Sequence, residues 1–401
     1  MLVRQISVGL TPACAVSVVT KLYFERALLG DGWRRDVLIT LAGPMICAIE
    51  SGISAPPDAA RIGGIALPGI PNVHSHVFQR AIAGLPERRG PEDDSFWTWR
   101  DVMYRFLAHM SPDDVEAVAA LAYVEMLEAG FTTVGEFHYL HNAPDGSRYA
   151  DPAEMAGRII AAASEAGIGL TLLPCFYAYG GCGGKPASTA QARFLSDLDG
   201  FAELIDASAR HLRRLNGARL GIAPHSLRAV DAQELGELVR LYSSGPIHMH
   251  AAEQAREVDE CLAWSHARPV EWLLDNMPID QRWCLIHCTH MTHVETQRLA
   301  RSGAVVGVCP ITESNLGDGI FPAVEFERAA GRYAIGSDSN VRIAANEELR
   351  TLEYSQRLRD QRRNRLGTQG SSTGRVLLAA ACGGGMRALG LSEPRGGLAV
   401  G

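Results

Sequence analysis

From Leu67 onward, short apolar runs alternate with longer stretches whose apolar positions recur at the helical period. Eight runs read as strands: Leu67–His76, Thr132–Tyr139, Gly169–Tyr177, Arg219–His225, Pro246–Ala252, Arg282–His287, Ala304–Pro310 and Arg332–Asp338. Helical stretches separate them, among them Pro112–Ala129, Asp151–Ala166, Phe201–Leu215, Asp231–Ser243, Pro269–Asn276 and Val294–Ser302. Ser111 and Asp231 stand where N-caps are needed, Gly130 and Gly167 where helices end. Strands alternating with helices imply an α/β protein with parallel strands, and eight repeats close into a (β/α)8 barrel of the TIM type.

Residues 21–66 follow another rhythm, alternating polar and apolar positions around glycine-rich turns. They read as short antiparallel strands, part of a small N-terminal β-sandwich. The expected division is an extension over 1–20, the sandwich part over 21–66 and the barrel over 67–366. Residues 367–401 then supply a helix and the start of a return to the sandwich. Residues 1–20 contain a mildly apolar run, but Pro12 interrupts it and no clean small-residue cleavage site follows, so it reads as an extension and not a signal peptide.

Composition narrows the partners. The net charge of −7 gives no basis for binding nucleic acid or an anionic membrane, and no apolar stretch is long enough to span a bilayer. The nine cysteines are irregularly spaced without a CxxC pair, which suits reduced thiols in the cytoplasm. Only Lys21 and Lys185 are lysines, so nearly all positive charge is arginine.

The ends of the strands carry the chemistry. Strand one ends in His74 and His76, strand two in His138 and Tyr139, and strand four in His225. Strand five ends in His250 with Glu253 beyond it, strand six in His287, and strand eight in Asp338. Active sites of such barrels lie at the carboxyl ends of the strands, where distant segments converge. His74 and His76, two apart, present both imidazoles on one face, as ligands to one ion require. His248 and His250 form a second such pair, and His250, nearer the strand end, is the expected ligand. With Asp338 these make a four-donor set for one zinc ion. A second ion bridged by a modified lysine is disfavoured, because strand four ends Ile222-Ala223-Pro224-His225 with no lysine near. Glu253 could shuttle a proton to a leaving nitrogen, and His287 could polarise a substrate.

These segments resemble the deaminase branch of the amidohydrolase superfamily. Longer strings are similar to the formimidoylglutamate deiminases within it: HSHVFQRAIAG at His74–Gly84, SFWTWRDVMYR at Ser95–Arg105, EFHYLH at Glu136–His141, PHSLRAV at Pro224–Val230 and CPITESNLGDGIFP at Cys309–Pro322. The resemblance spans residues 22–366. It implies zinc-dependent hydrolysis of N-formimino-L-glutamate to N-formyl-L-glutamate and ammonia, a step of histidine degradation. It also implies zinc on His74, His76, His250 and Asp338, and proton handling by Glu253, His287 and Asp338. Gln79, Arg100, Tyr139, His225 and Arg228 match positions that hold the substrate. Arginine suits a dicarboxylate, because its planar fork pairs with carboxylates bidentately. The expectation is that Arg100 and Arg228 divide the two carboxylates, with Gln79 and Tyr139 completing one clamp. A nucleobase-like ring is the alternative substrate, and barrels of this type often pair, which leaves room for a homodimer. The chain departs from the family pattern at Asn340, where a histidine is usual, and it ends at Gly401 where further sandwich strands are expected.

Overall fold

The computed structural model describes residues 19–90, 93–391 and 398–401. Most of the N-terminal extension and most of the glycine-rich tail therefore lie outside the described residues. The described chain falls into two compact units, one of residues 19–68 and 398–401, the other of residues 69–391.

The smaller unit is a sheet of four strands, β1 (Val19–Leu29), β2 (Gly32–Ala42), β3 (Met45–Ser51) and β4 (Ala60–Ala66), in the order β3-β2-β1-β4. The first three form an antiparallel meander, but β4 lies parallel to β1, where the sequence reading expected antiparallel pairing. Residues 52–59 carry the chain from the end of β3 to the far edge of the sheet, so β4 arrives in the direction of β1. Ala27, Val37, Ile39 and Ala66 form the unit's small core.

In the larger unit the strands are β5 (Ile70–Ser75), β6 (Phe131–His138), β7 (Gly169–Phe176), β8 (Arg219–Leu220) with β9 (Ala223–Pro224), β10 (Ile247–Ala251), β11 (Trp283–His287), β12 (Val305–Val308) and β13 (Arg332–Ile335). All pair in parallel. β8 and β9 are two pieces of one strand, so eight staves result. Single bridges from Ile222 to Ile247 and from Ser75 to Asp338 join the two sheets into a closed ring.

The helices in chain order are α1 (Phe96–Leu107), α2 (Pro112–Glu128), α3 (Glu154–Ala166), α4 (Leu198–Leu212), α5 (Ala232–Leu241) and α6 (Ala255–Ser265). They continue with α7 (Pro269–Asn276), α8 (His293–Ser302), α9 (Pro310–Leu316), α10 (Ala323–Arg328), α11 (Ala345–Asp360) and α12 (Thr373–Ala388). Ser111 and Asp231 cap α2 and α5 by accepting the amides of Asp114 and Glu234. Gly167 ends α3 in the left-handed conformation that glycine adopts without cost.

The barrel interior is filled by Val73, Cys284, Ile286, Val305 and Ala334, and from the end of α12 by Ala388 and Leu389. Thr171 Oγ1 donates to the Leu389 carbonyl (3.0 Å) and His248 Nε2 to that of Ala388 (2.7 Å). α12 comes this close because Gly384 lacks a side chain: a Cβ there would meet the Tyr333 carbonyl oxygen at 2.2 Å.

Candidate active site

Two strand ends are stapled where the ring closes. The Asp338 amide donates to the His74 carbonyl and the His76 amide to the Asp338 carbonyl, both at 2.9 Å. Gly336 makes room, since a Cβ would lie 2.8 Å from the Cβ of His74. Behind the seam runs a buried polar chain. Asn72 Nδ2 donates to Ser337 Oγ (2.6 Å), Ser337 Oγ to Asn340 Oδ1 (2.6 Å), and Asn340 Nδ2 to Ser75 Oγ (3.1 Å). Asn340 thus serves the framework, and its left-handed φ of 56° is one that asparagine tolerates well. Ala252, His287, Cys288 and Asp338 also take left-handed conformations. Among the described residues, half of the ten non-glycine residues with positive φ thus stand at strand ends around one mouth, where backbone strain is concentrated.

His74, His76, His250 and Asp338 converge there. His250 Nε2 lies 3.1 Å from His74 Nε2 and 3.3 Å from His76 Nε2. Asp338 Oδ1 lies 3.4 and 3.5 Å from the same atoms of His74 and His76. Four donors arranged tetrahedrally at zinc–nitrogen distances sit about 3.3 Å apart, so the cradle fits one such ion. The protonation pattern agrees. His76 Nδ1 donates to the Phe137 carbonyl (2.8 Å) and His250 Nδ1 to that of His225 (3.0 Å), which leaves each Nε2 with a bare lone pair. Burial drives all three imidazoles toward the neutral, ligating form, pulling His74 down to about 3. Burial pushes the Asp338 carboxyl up, but the hydrogen bond and charge of His74, with His287 and His76, hold it ionised well below the usual carboxylate range. His248 bonds to Ala388 and stays out of the cluster.

Beside the cradle lie the proton-handling groups. Glu253 Oε2 accepts from Arg228 Nη2 (3.0 Å), and its Oε1 lies 3.6 Å from His287 Nε2. Burial raises the Glu253 carboxyl, although His287 and Arg228 pull it back. His287 faces Glu313 through Nδ1 (3.3 Å) and Asp338 through Nε2 (3.8 Å). Burial disfavours its charge, but Glu253, Glu313 and Asp338 outweigh that and keep it protonated up to about 10.

A cavity opens over these groups. Gln79 Nε2 donates to Tyr139 Oη (2.6 Å) on its wall, with Gln79 Oε1 buried and unpartnered. Arg100 lies with its guanidinium 4.5 Å from the Trp97 ring centre, and its Nε, like that of Arg228, is buried without a partner. His225 lines the cavity and is depressed by burial and by Arg228. Of the predicted site residues, all but His74 and His287 line this cavity, and those two are buried behind it against Asp338. His138 instead turns to the outer side of β6, 5.4 Å from His141.

The sequence matches the amidohydrolase family over residues 65–401 and the N-terminal domain of the formimidoylglutamate deiminase HutF over residues 20–62. It is 50% identical over 385 residues to the formimidoylglutamate deiminase of Pseudomonas aeruginosa, covering 96% of this chain and 84% of that one. The chain belongs to the amidohydrolase family, among the formimidoylglutamate deiminases. A crystal structure of an amidohydrolase from Brucella melitensis superposes with a TM-score of 0.92 at 53% identity, covering 95% of this chain and 85% of that one. The 8-oxoguanine deaminase of Pseudomonas aeruginosa is a more distant relative, 30% identical over 75% of this chain and 66% of its own. Amidohydrolases are hydrolases, typically metal-dependent, and the His/Asp cluster is a candidate metal site of that kind.

Residues that sequence reasoning passed over complete this deiminase-family site. Glu257 is fully buried at the start of α6 and accepts the amides of Ala252 (3.2 Å) and Glu253 (3.0 Å). Glu313 holds the Cys309 amide (2.8 Å) while facing His287. Asp318 takes the Gln254 side-chain amide on one oxygen and leaves the other buried and unpartnered. Burial pushes that carboxyl up to about 9, with the charge of Glu253 adding to the shift. Glu257 and Glu313 follow Glu253 and Cys309 by one helical turn, a spacing that offered the only sequence signal.

Proposed function

We propose that this chain hydrolyses N-formimino-L-glutamate to N-formyl-L-glutamate and ammonia, with a single zinc ion held by His74, His76, His250 and Asp338. The observation that carries the reading is one pocket with two chemically distinct parts. The three-histidine, one-aspartate cradle with Glu253 and His287 supplies the reacting end, and beside it stand Arg100 and Arg228 with unpartnered Nε atoms and the unpartnered amide oxygen of Gln79. A single ion is supported because the residues at the end of β9, Ala223-Pro224-His225, include no lysine to bridge a second one.

When bound, zinc acidifies a water toward neutrality and so supplies a nucleophile at physiological pH. The residues do the remainder. Asp338 accepts the proton from the attacking water. His287, oriented through Nδ1 by Glu313, directs Nε2 at the oxygen as it adds to the formimino carbon. Glu253 carries a proton to the terminal nitrogen, the carbon–nitrogen bond breaks, and ammonia leaves while N-formyl-L-glutamate remains. Arg228 serves twice, steadying Glu253 through Nη2 and offering Nε to a substrate carboxylate. Arg100, Gln79, Tyr139 and His225 complete the substrate-holding wall around it. The seven buried cysteines from Cys175 to Cys382 are free thiols, which suits a reducing compartment, and we place the enzyme in the cytoplasm.

The test is ammonia release from N-formimino-L-glutamate by zinc-reconstituted protein, with Glu253→Ala as control and a nucleobase panel alongside. Ammonia from the amidine alone, abolished in the variant, is expected; ammonia from a nucleobase alone would overturn the substrate.

A further inference from the structure

The pocket holds a third arginine. Arg256, in the first turn of α6, lies with its guanidinium 4.3 Å from the centre of the Trp97 ring, and Arg100 lies 4.5 Å from the same side chain. One indole in α1 therefore stands against two cations, one from its own helix and one from α6. Trp97 and Arg256 both border the cavity, as does Glu260, whose carboxylate accepts from Arg256 Nε at 2.9 Å. Depth orders the cations: Arg228 is buried against Glu253, Arg100 is half-buried, and Arg256 is exposed at the rim.

We infer that Arg256 determines specificity for the outer carboxylate of the substrate, and that Trp97 is the residue that positions it; this rests on the reading of the pocket as a site for a dianion. An Arg–Glu pair four residues apart on an exposed helix contributes little by itself and needs no aromatic partner from another element. The indole fixes the guanidinium plane and shields one side from water, which strengthens any ion pair made on its free edge. Arg228 is already committed through one nitrogen to Glu253, so the inner carboxylate falls to Arg228 with Arg100, and the outer one meets Arg256 beside the Trp97 indole. Glu260 competes for the same cation. Removing its charge therefore strengthens, and does not weaken, binding of a dianion.

The experiment compares N-formyl-L-glutamate with N-formyl-L-norvaline, which replaces the outer carboxylate by a methyl group, by calorimetric titration of the zinc-loaded enzyme. The wild type is expected to prefer the glutamate derivative. Arg256→Gln weakens that ligand by about tenfold and leaves the norvaline derivative within about twofold. Trp97→Leu moves binding the same way, and Glu260→Gln tightens the glutamate derivative alone. Equal losses on both ligands in Arg256→Gln, or no loss on either, overturn the assignment. Because binding is read without turnover, an intact preference in protein that releases no ammonia from N-formimino-L-glutamate overturns the deiminase reading alone.

Discussion

Glu253 sits between a guanidinium at 3.0 Å and an imidazole at 3.6 Å, so its carboxyl is held in place while burial keeps it a better base than an exposed glutamate. Glu253→Gln preserves size and the contact to Arg228 but removes the proton carrier. It is expected to lower kcat by about 10²–10⁴-fold with zinc content unchanged, as steady-state kinetics beside metal analysis will read. Arg228→Met removes a substrate contact and also releases Glu253, so KM should rise and kcat fall together; a change in KM alone would separate the two roles. Which residues were legible follows from where their side chains act. His74, His250, His287 and Asp338 project from strand ends, and topology alone brings strand ends together. Glu257, Glu313 and Asp318 act by holding backbone amides or side chains of neighbouring turns, and nothing in residue type separates them from ordinary helix-surface acids.

At the scale of elements, periodicity located the staves and most helices to within a few residues, and the differences have local causes. The last strand was expected to run to Asp338 but ends at Ile335; the Gly336 amide still donates to the Val308 carbonyl, and the backbone leaves the extended path at Asp338, whose φ is 47°. The fourth stave divides at Gly221-Ile222, where a Cβ on Gly221 would meet the Pro246 carbonyl oxygen at 2.5 Å. The role of α12 was not legible, since a run of alanines and glycines does not reveal that its end plugs the barrel. Leu389 is fully buried in that interior. Leu389→Ala should cost about 2–5 kcal/mol of stability through the cavity it leaves. Chemical denaturation will measure this, with KM expected to stay near the wild-type value because the site lies at the other ends of the strands.

At the scale of the whole molecule, stability is tied to what the barrel holds. Binding that favours the folded state raises the melting temperature, so zinc in excess over the chelated protein should raise Tm by about 5–10 °C. His250→Ala should abolish that shift, as a thermal scan with and without a chelator will show. A second coupling runs through Glu136, fully buried beneath Tyr123 and the Val77 amide, whose carboxyl burial raises to about 8. Its folded pKa lies above the unfolded value, so the stability it contributes is complete at acid pH. That contribution is lost as pH rises toward 8, with a slope of at most ~1.4 kcal/mol per pH unit. Glu136→Gln should flatten this part of the pH–stability curve; an unchanged curve would mean the carboxyl ionises freely.

The seam between the first and last staves also bears on biosynthesis. His76 leaves the ribosome long before Asp338, an interval on the order of tens of seconds at ordinary elongation rates. Since the backbone of Asp338 itself staples the His74–His76 segment, a nascent chain offers two imidazoles, later joined by that of His250, but no completed cage during that time. The four-donor cage is thereby complete only when nearly the whole barrel has been translated.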